Sequence, residues 1–214
     1  MPLQNRVTPF GEIVAFPERG LLLGNRGILH NDRQQIVRSW QVRRWIACQL
    51  QFRGRHRAVM QPHTWTELFF LDEATAFAAG HRPCAECRHA DYRRFKTAWA
   101  AWSGAPASAD EMDAVLHGDR LEAQNKPHAL QRKRTYRDEI TTVPDGAFVR
   151  LAGDDGTAWL RWRGHLLAWS AAGYQTQRAL PTLGIVEVLT PRALVAVLRA
   201  GYRLAVHPSA SHKR

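Results

Sequence analysis

Hydrophobic residues between positions 67 and 102 follow the spacing of one strand and two helices. Glu67 to Leu71 is a short apolar run of strand type, and Asp72 stands where a helix N-cap is expected. Gly80 is suited to the left-handed conformation that ends such a helix. A second helix is predicted by an apolar stripe at helical intervals, made of Tyr92, Phe95, Trp99 and Trp102.

Upstream of this region, residues 42–52 alternate between apolar and polar positions, as in a strand that turns one face to a core. The alternation predicts an apolar face made of Ile46, Cys48, Leu50 and Phe52. Arg53-Gly54-Arg55 is predicted to form a hairpin turn that returns through Ala58 to Met60. Residues 1–31 are broken by prolines and glycines, which predicts loops and short strands.

Beyond residue 103 the pattern predicts one more helix, several strands and a closing helix. Asp110 is predicted to cap a helix whose buried side carries Met112, Val115 and Leu116. Strand-like runs joined by glycine-containing turns follow from Ala147 to Tyr174 and again from Gly184 to Leu189. Thr190 is predicted to cap a last helix, opened by proline and closed by glycine. The predicted fold class is therefore α+β, with a hairpin, helix and Cys-x-x-Cys half followed by a small antiparallel sheet and its covering helix.

The segment from Ser103 to Asp110 is rich in small residues and proline, and it is the best candidate for a linker. The chain is thus predicted to form a basic half over residues 1–103 and an α+β half over residues 110–207. A loop inside one compact unit is the alternative interpretation of the same segment. At 214 residues, either arrangement can bury a sizeable core.

The charge of the chain indicates a polyanionic partner, because 30 Lys and Arg against 19 Asp and Glu give a net charge of +11. No acidic residue occurs between Arg33 and Thr66, and Arg suits bidentate contacts to phosphate. Trp45 is a candidate for stacking on bases, with a rim residue of the core as the alternative. We predict nucleic acid as the partner, DNA ahead of RNA, with a solvated basic face as the alternative. The predicted phosphate contacts are Arg43, Arg44, Arg53, Arg55, Arg57, Arg132, Lys133 and Arg134.

Two cysteines in one tight turn carry the most specific local chemistry. The segment from Arg82 to Cys87 can aim the thiolates of Cys84 and Cys87 at one point, as tetrahedral zinc requires. Zinc is the predicted cofactor, and a reduced pair that packs a turn is the alternative. Cys48 is either an inert buried thiol or the third thiolate. The fourth ligand is then His63, His81 or His89, of which we assign His63.

The same stretch resembles the zinc-binding module of the Ada type, which occurs in a bacterial methyltransferase and in DNA-associated proteins. The resemblance spans residues 67–95 and implies a zinc site and binding to DNA in repair, surveillance or defence. The family's upstream ligand pair is not matched, because Cys48 is the only other cysteine and has no Cys or His four residues to either side. A methyl-accepting role is therefore not predicted. The matching residues are Ala78, Ala79, Gly80, Arg82, Pro83, Cys84 and Cys87.

The whole chain also looks like a widespread group of bacterial proteins, through NRVTPFGE, VPDGAFV and the terminal HPSA. That likeness implies no particular activity.

A hydrolase acting on nucleic acid, either a nuclease or a glycosylase for damaged or modified bases, is the second functional hypothesis. The glycine-flexed loop from residue 24 to 32 offers three side chains that can orient or deprotonate a water: Asn25, His30 and Asp32. Asp113, His117 and Arg120 are predicted neighbours on one helical face, so Asp113 and His117 form a candidate general-base pair. The alternatives are a surface turn that satisfies its own backbone and an ordinary helical surface.

Several classes of protein are not indicated. No apolar run reaches the roughly 20 residues that a membrane span needs, and the first residues contain no signal-peptide core. Three cysteines, two of them in one turn, do not form a disulfide framework, so the cytoplasm is the predicted location. The chain lacks the phosphate-binding loop of nucleoside triphosphatases, the serine-hydrolase elbow and the dinucleotide fingerprint. No H-x-E sequence precedes Cys84, as a zinc deaminase requires.

Overall fold

The structure is a computed structural model that describes residues 1–54, 58–123, 132–154 and 156–211. The first half of the chain contributes six strands: β1 (Arg6–Val7), β2 (Ile13–Val14), β3 (Leu22–Asn25), β4 (Ile46–Gln49), β5 (Leu68–Phe70) and β6 (Arg82–Pro83). The second half contributes six more: β7 (Tyr136–Glu139), β8 (Phe148–Arg150), β9 (Trp159–Trp162), β10 (His165–Ser170), β11 (Gly173–Ala179) and β12 (Ile185–Val188). The α-helices within these ranges are α1 (Glu73–Ala78), α2 (His89–Ser103), α3 (Ala109–Arg120) and α4 (Arg192–Arg199), and two short 3-10 helices cover Ile140–Thr142 and Pro208–Ala210.

The strands form two six-stranded sheets that are mostly antiparallel, which confirms the predicted α+β class. The first sheet has the order β2-β1-β5-β3-β4-β6, and only its β1–β5 and β4–β6 pairs are parallel. The second sheet has the order β11-β10-β9-β8-β12-β7, with every pair antiparallel. None of the helices in the described ranges has the length and apolar character needed to cross a membrane.

The largest hydrophobic cluster contains side chains from both halves of the chain. Phe77 and Phe95 from the first half pack with Leu116 and Leu194 from the second half. Phe77 also stacks on Tyr202, with ring centroids 5.4 Å apart. Side chains from before residue 103 and from after residue 110 therefore pack in the same core.

Asp72 begins α1 and also ties the first half of the chain to the second. Its Oδ1 accepts from the Thr75 backbone N–H at 2.8 Å, as the predicted N-cap requires. Its Oδ2 accepts from the Tyr174 hydroxyl at 2.8 Å and from the His207 backbone N–H at 2.9 Å. Gly80, with a φ of 85°, ends the helix in the predicted left-handed conformation.

Glu73, the next residue, is buried and equally well bonded. Its carboxylate accepts from Arg88 Nη2 at 2.6 Å, from the Tyr202 hydroxyl at 2.7 Å and from the Ala205 backbone N–H at 2.9 Å. The start of α1 is thus a buried polar junction between the halves, and its acceptors are filled by several donors.

The predicted start of α3 is wrong, and its predicted buried side is right only in part. Ser108 caps the helix in place of Asp110, because Ser108 and Glu111 form a reciprocal capping box with bonds of 3.2 and 2.7 Å. Met112 and Leu116 are buried as predicted, whereas Val115 is 45% exposed. Asp113 and Arg120, from the other predicted face, are buried as well. The helix turns part of its polar side inward because Asp113 pairs there with Arg82.

The predicted cap of α4 is also wrong. Pro191 occupies the cap position, whereas the Thr190 hydroxyl accepts from the Phe148 backbone N–H at 2.9 Å. Thr190 therefore joins β8 to the residues before α4 instead of starting the helix.

The faces of β4 are reversed relative to the prediction. Trp45 and Ala47 are buried, whereas Ile46 and Cys48 are only partly covered. β3 and β6 occupy the two edges of β4, and residues 58–60 do not form a return strand. The predicted arginine-rich hairpin is therefore wrong, because its first strand pairs elsewhere in the chain.

Candidate metal centre and its cleft

The side chains of Cys48, Cys84 and Cys87 meet in one cluster, with their sulfur atoms within 4.8 Å of one another. The parallel pairing of β4 with β6 sets Ala47 opposite Pro83, which brings Cys48 and Cys84 side by side. The Cys84 backbone N–H donates to the Ala47 carbonyl at 3.0 Å and fixes this register. The tight turn then brings Cys87 back to the same point. Of the two interpretations of Cys48, the structure matches the one that makes it the third member of the site.

Backbone N–H groups point at the sulfur atoms of this cluster. The Gln49 N–H donates to Cys87 Sγ at 3.4 Å, and the amides of Cys87 and Glu86 donate to Cys84. Hydrogen bonds from the thiols of Cys48 and Cys87, with these amides, lower the pKa of Cys84 well below that of a free thiol. The same cluster raises the pKa of Cys48, so the three groups titrate as a unit. Such donors are the outer-shell partners that thiolate ligands of a metal use.

The sulfur spacing fits a metal ion with little movement of the side chains. Zinc–sulfur bonds of about 2.3 Å in a tetrahedral site set sulfur atoms about 3.8 Å apart. The three cysteines are free of disulfide bonds and already lie within 4.8 Å of one another. This arrangement is therefore one that could hold a metal ion.

The predicted fourth ligand does not join the cluster. Within the described ranges, the ligand group consists of the three cysteines alone, and His63 lies exposed outside it. His81 is buried against Trp45 and Phe70, and its Nε2 accepts from Arg26 at 3.1 Å. The ring Nδ1 of His89 lies 3.1 Å from the Ala85 carbonyl. The assignment of His63 as a ligand is wrong for this arrangement, because its side chain does not reach the sulfur atoms.

The cysteine cluster opens into a cleft of about 830 Å³. Cys48 and Cys87 are partly exposed, so a fourth coordination position would face this space. Arg19 lines the cleft and lies 5.0 Å from the ring centre of Phe69. Phe52 and Trp65 add further aromatic lining, and the guanidinium of Arg53 lies 4.9 Å from the Phe52 ring centre. Glu67 and Glu86 line it as well, so the cleft combines three thiols with arginine, aromatic and acidic side chains.

The predicted phosphate contacts divide into exposed and internal groups. Arg43, Arg53, Arg132 and Arg134 are exposed, and Arg44 is exposed but pairs with Asp110 at 3.0 Å. Lys133 points inward, where its Nζ donates to the Pro9 carbonyl and to the Ala78 carbonyl, the latter at 2.6 Å. A surface phosphate contact by Lys133 is therefore wrong. Arg55 and Arg57 lie outside the described residues.

Trp45, predicted to stack on bases, is a core residue. Its side chain is 2% exposed, and its Nε1 donates to the Val42 carbonyl at 3.0 Å. The guanidinium carbons of Arg26 and Arg120 each lie 4.0 Å from its ring centre. The stacking role is wrong, because protein groups already cover the indole.

The segment from residue 24 to 32 begins at the end of β3, and its polar groups bond both within the segment and to residues outside it. Asn25 Oδ1 accepts from the Gly27 backbone N–H at 2.7 Å. His30 is buried, with Nδ1 2.6 Å from the Thr66 hydroxyl and Nε2 3.1 Å from the Gln61 carbonyl. Asp32 is exposed. Asn25 and His30 thus hold the loop in place, and a catalytic role for this loop stays a prediction.

Asp113 and His117 do not form the predicted general-base pair. Both carboxylate oxygens of Asp113 accept from buried Arg82, at 2.9 and 2.7 Å. His117 Nδ1 instead lies 3.2 Å from Arg120 Nη2, and its ring packs edge-on against Trp40. Burial and the Arg120 charge lower the pKa of His117 to about 4, which makes it a weak base.

Comparison of the chain with protein-family models, with curated proteins and with solved structures found no match. The functional argument therefore rests on the cysteine cluster and the cleft above it.

Proposed function

We propose that this protein binds zinc through Cys48, Cys84 and Cys87, and that it binds nucleic acid, DNA in preference to RNA, along the cleft beside that ion. The observation that carries the proposal is the meeting of three sulfur atoms in the lining of a cleft that also contains an arginine and several aromatic side chains, beside two glutamates.

Zinc is the metal that suits this ligand set. Thiolates are soft ligands that select zinc, copper(I) or iron–sulfur clusters, and a single compact group of three thiolates matches one zinc ion. The remaining coordination position belongs to water or to a ligand in the cleft. Three reduced cysteines also suit the cytoplasm, where thiols stay free.

Nucleic acid is the polyanion that suits the cleft. Grooves that bind single strands combine positive charge along the backbone with aromatic side chains that stack on bases. Arg19 in the lining and Arg53 over the Phe52 ring supply positive charge here, whereas Phe52 and Trp65 supply aromatic surface. Glu67 and Glu86 are the acidic side chains of the described lining. The net charge of +11 favours association with phosphates over the whole molecule.

The ion would act as a cross-link beneath the binding surface. It would join β4 to the turn after β6, two segments that are far apart in sequence but line the same cleft. The resemblance of residues 67–95 to Ada-type modules supports DNA as the partner and a role in repair, surveillance or defence.

Salt-dependent binding tests the cleft directly. We would measure affinity for single-stranded and duplex DNA, and for RNA of the same sequence, over a series of salt concentrations. Each lost phosphate contact lowers the salt slope by about 0.7 on single strands and about 0.9 on duplex. The double variant Arg19→Ala with Arg53→Ala should therefore lower the slope by about 1.4 to 1.8.

Arg163→Ala with Arg203→Ala is the matched control, because it removes the same charge outside the cleft, and Arg163 likewise lies over an aromatic ring, that of Trp162. The control should keep the parent slope. If the two double variants behave alike, the cleft is not the binding surface and the proposal fails.

A further inference from the structure

A second cavity, of about 460 Å³, lies apart from the cleft. The two share no lining residue among those the structure describes. Glu12 is the one acidic residue in the described lining, and it is exposed. Four cationic side chains line the same cavity: Arg26, Arg120, Arg132 and Lys133.

Buried arginines elsewhere in the chain have carboxylate partners. Arg82 pairs with Asp113 at 2.7 Å, and Arg88 pairs with Glu73 at 2.6 Å. These pairs are what a folded protein needs, because an unpaired buried charge is strongly destabilising.

Arg26 and Arg120 have no such partner in the described part of the chain. They are 2% and 1% exposed. Arg26 donates through Nε to His81, and Arg120 donates to the carbonyls of Gly80 and Arg43 at 3.0 and 2.6 Å. Arg26 Nη2 and Arg120 Nε are buried without any hydrogen-bond partner among the described residues. The Trp45 ring beside both groups attracts the cations but does not satisfy their N–H donors.

The positive charges in this cavity also oppose one another. Burial lowers the pKa of Arg26 to about 9. Burial lowers the pKa of Arg120 as well, with Arg26 adding to the effect and Asp113 opposing it. Burial and Arg26 lower the pKa of Lys133 in the same way. The described part of the chain therefore supplies no carboxylate that pairs with the charged forms of Arg26 and Arg120.

We propose that this cavity binds a small organic oxyanion, whose phosphate or carboxylate lies against Arg26 and Arg120 and whose body packs on Phe10, Ile13 and Ile36. The planar guanidinium fork matches both kinds of head group. The apolar lining residues provide the surface that a ligand body needs, and the volume falls in the usual range for small-molecule sites. The site is independent of zinc and of the nucleic-acid cleft.

Matched pairs of probes test the site on the full chain. Adenosine 5′-monophosphate is compared with adenosine, and benzoate with benzamide, by calorimetry at constant ionic strength. We expect the anionic member of at least one pair to bind at least about tenfold tighter than its neutral partner. Discrimination in the first pair alone assigns phosphate as the head group, and discrimination in the second alone assigns carboxylate.

Arg26→Met removes the proposed contact, and Arg203→Ala removes the same charge from an exposed position outside both the cavity and the cleft. Arg26→Met should weaken binding of the anionic probe at least about tenfold, whereas Arg203→Ala should leave it unchanged. Replacing an unpaired buried charge by an apolar side chain of similar size is commonly tolerated, so Arg26→Met is expected to fold.

The parent protein gives a readout that needs no variant. With ¹⁵N-labelled arginine, the anionic probe should shift the side-chain Nε–H signals of two buried arginines, and the neutral probe should not. The proposal is overturned if neither pair discriminates, or if a folded Arg26→Met binds the anionic probe as tightly as the parent.

Discussion

Buried charged residues in this protein differ in how many hydrogen-bond partners surround them. Asp72 and Glu73 fill their acceptors with donors from both halves of the chain. Arg26 and Arg120, by contrast, keep buried N–H groups without partners among the described residues. The first kind of residue stabilises the fold, whereas the second kind fits a ligand-binding site.

Asp72→Ala should destabilise the protein by about 3 kcal/mol, because it removes a helix cap and leaves buried donors unpaired. Urea unfolding monitored by circular dichroism measures the change. Asp110→Ala is the control, since its pair with Arg44 is exposed and should be worth less than about 1 kcal/mol. Equal effects of the two substitutions would contradict the role given to Asp72.

Stability should also depend on the protonation of His117. Its pKa in the folded protein is about 4, below the usual value of about 6.5, because of burial and Arg120. Between these pH values the unfolded chain binds a proton on His117, whereas the folded protein does not. The free energy of unfolding is therefore unaffected by His117 above pH 6.5, and it decreases as the pH falls towards 4.

His117→Gln should remove about 1 kcal/mol of the decline in unfolding free energy between pH 7 and pH 4. That figure is less than the full linkage value, because the ring is half-exposed and solvent screens it. Urea titrations of parent and variant across this pH range measure the difference. Parallel profiles would show that His117 does not titrate as described.

At the scale of elements, the ends of α1 and α3 are fixed by local contacts, but the site depends on distant pairing. The turn after β6 supplies Cys84 and Cys87, whereas β4 supplies Cys48 only because the two strands lie parallel. Neither strand could form the cluster alone.

Ser108→Ala should destabilise α3 and the protein by about 1 kcal/mol, because it breaks the capping box with Glu111. Asp110→Asn, at the position that the sequence pattern favours as the cap, should change stability by only a few tenths of a kcal/mol. Thermal and urea unfolding of both variants compare them. The reverse order of effects would place the cap at Asp110.

The sequence identifies elements whose signals are local. Asp72, Gly80 and the Cys-x-x-Cys turn follow from short-range rules for caps and turns. The faces of β4 are mispredicted because apolar residues occur on both sides of the strand, and burial of Trp45 beside two arginines decides between them. The local sequence pattern does not predict the inward polar side of α3 either, since that side depends on an ion pair between residues 82 and 113.

Membership of Cys48 in the site could be predicted only as an alternative, because it requires a strand pairing across more than thirty residues. The buried Arg26 has a weaker signal still. It lies between two glycines in a loop that periodicity describes only as polar. Its burial follows from the packing of Trp45 and His81 around it.

At the scale of the whole molecule, the two sheets depend on a common core. Phe77, Phe95 and Trp99 from the first half are buried in the same cluster as α4 and Tyr202. The two halves are therefore expected to unfold together.

A fragment of residues 1–103 should lack a cooperative unfolding transition, because these aromatic side chains would lose their partners. The full chain should show one transition by both near-ultraviolet and far-ultraviolet circular dichroism. Cooperative unfolding of the fragment, at a stability near that of the full chain, would show instead that the first half folds independently.

The central claim, a zinc ion held by three cysteines, is tested most directly by elemental analysis of the full chain purified without added metal or affinity tag. We expect one zinc per chain in the parent and in the control His63→Ala, and less than about a tenth of that in Cys48→Ser and in Cys84→Ser. A parent protein without zinc, or a Cys48→Ser variant that keeps it, would contradict the account.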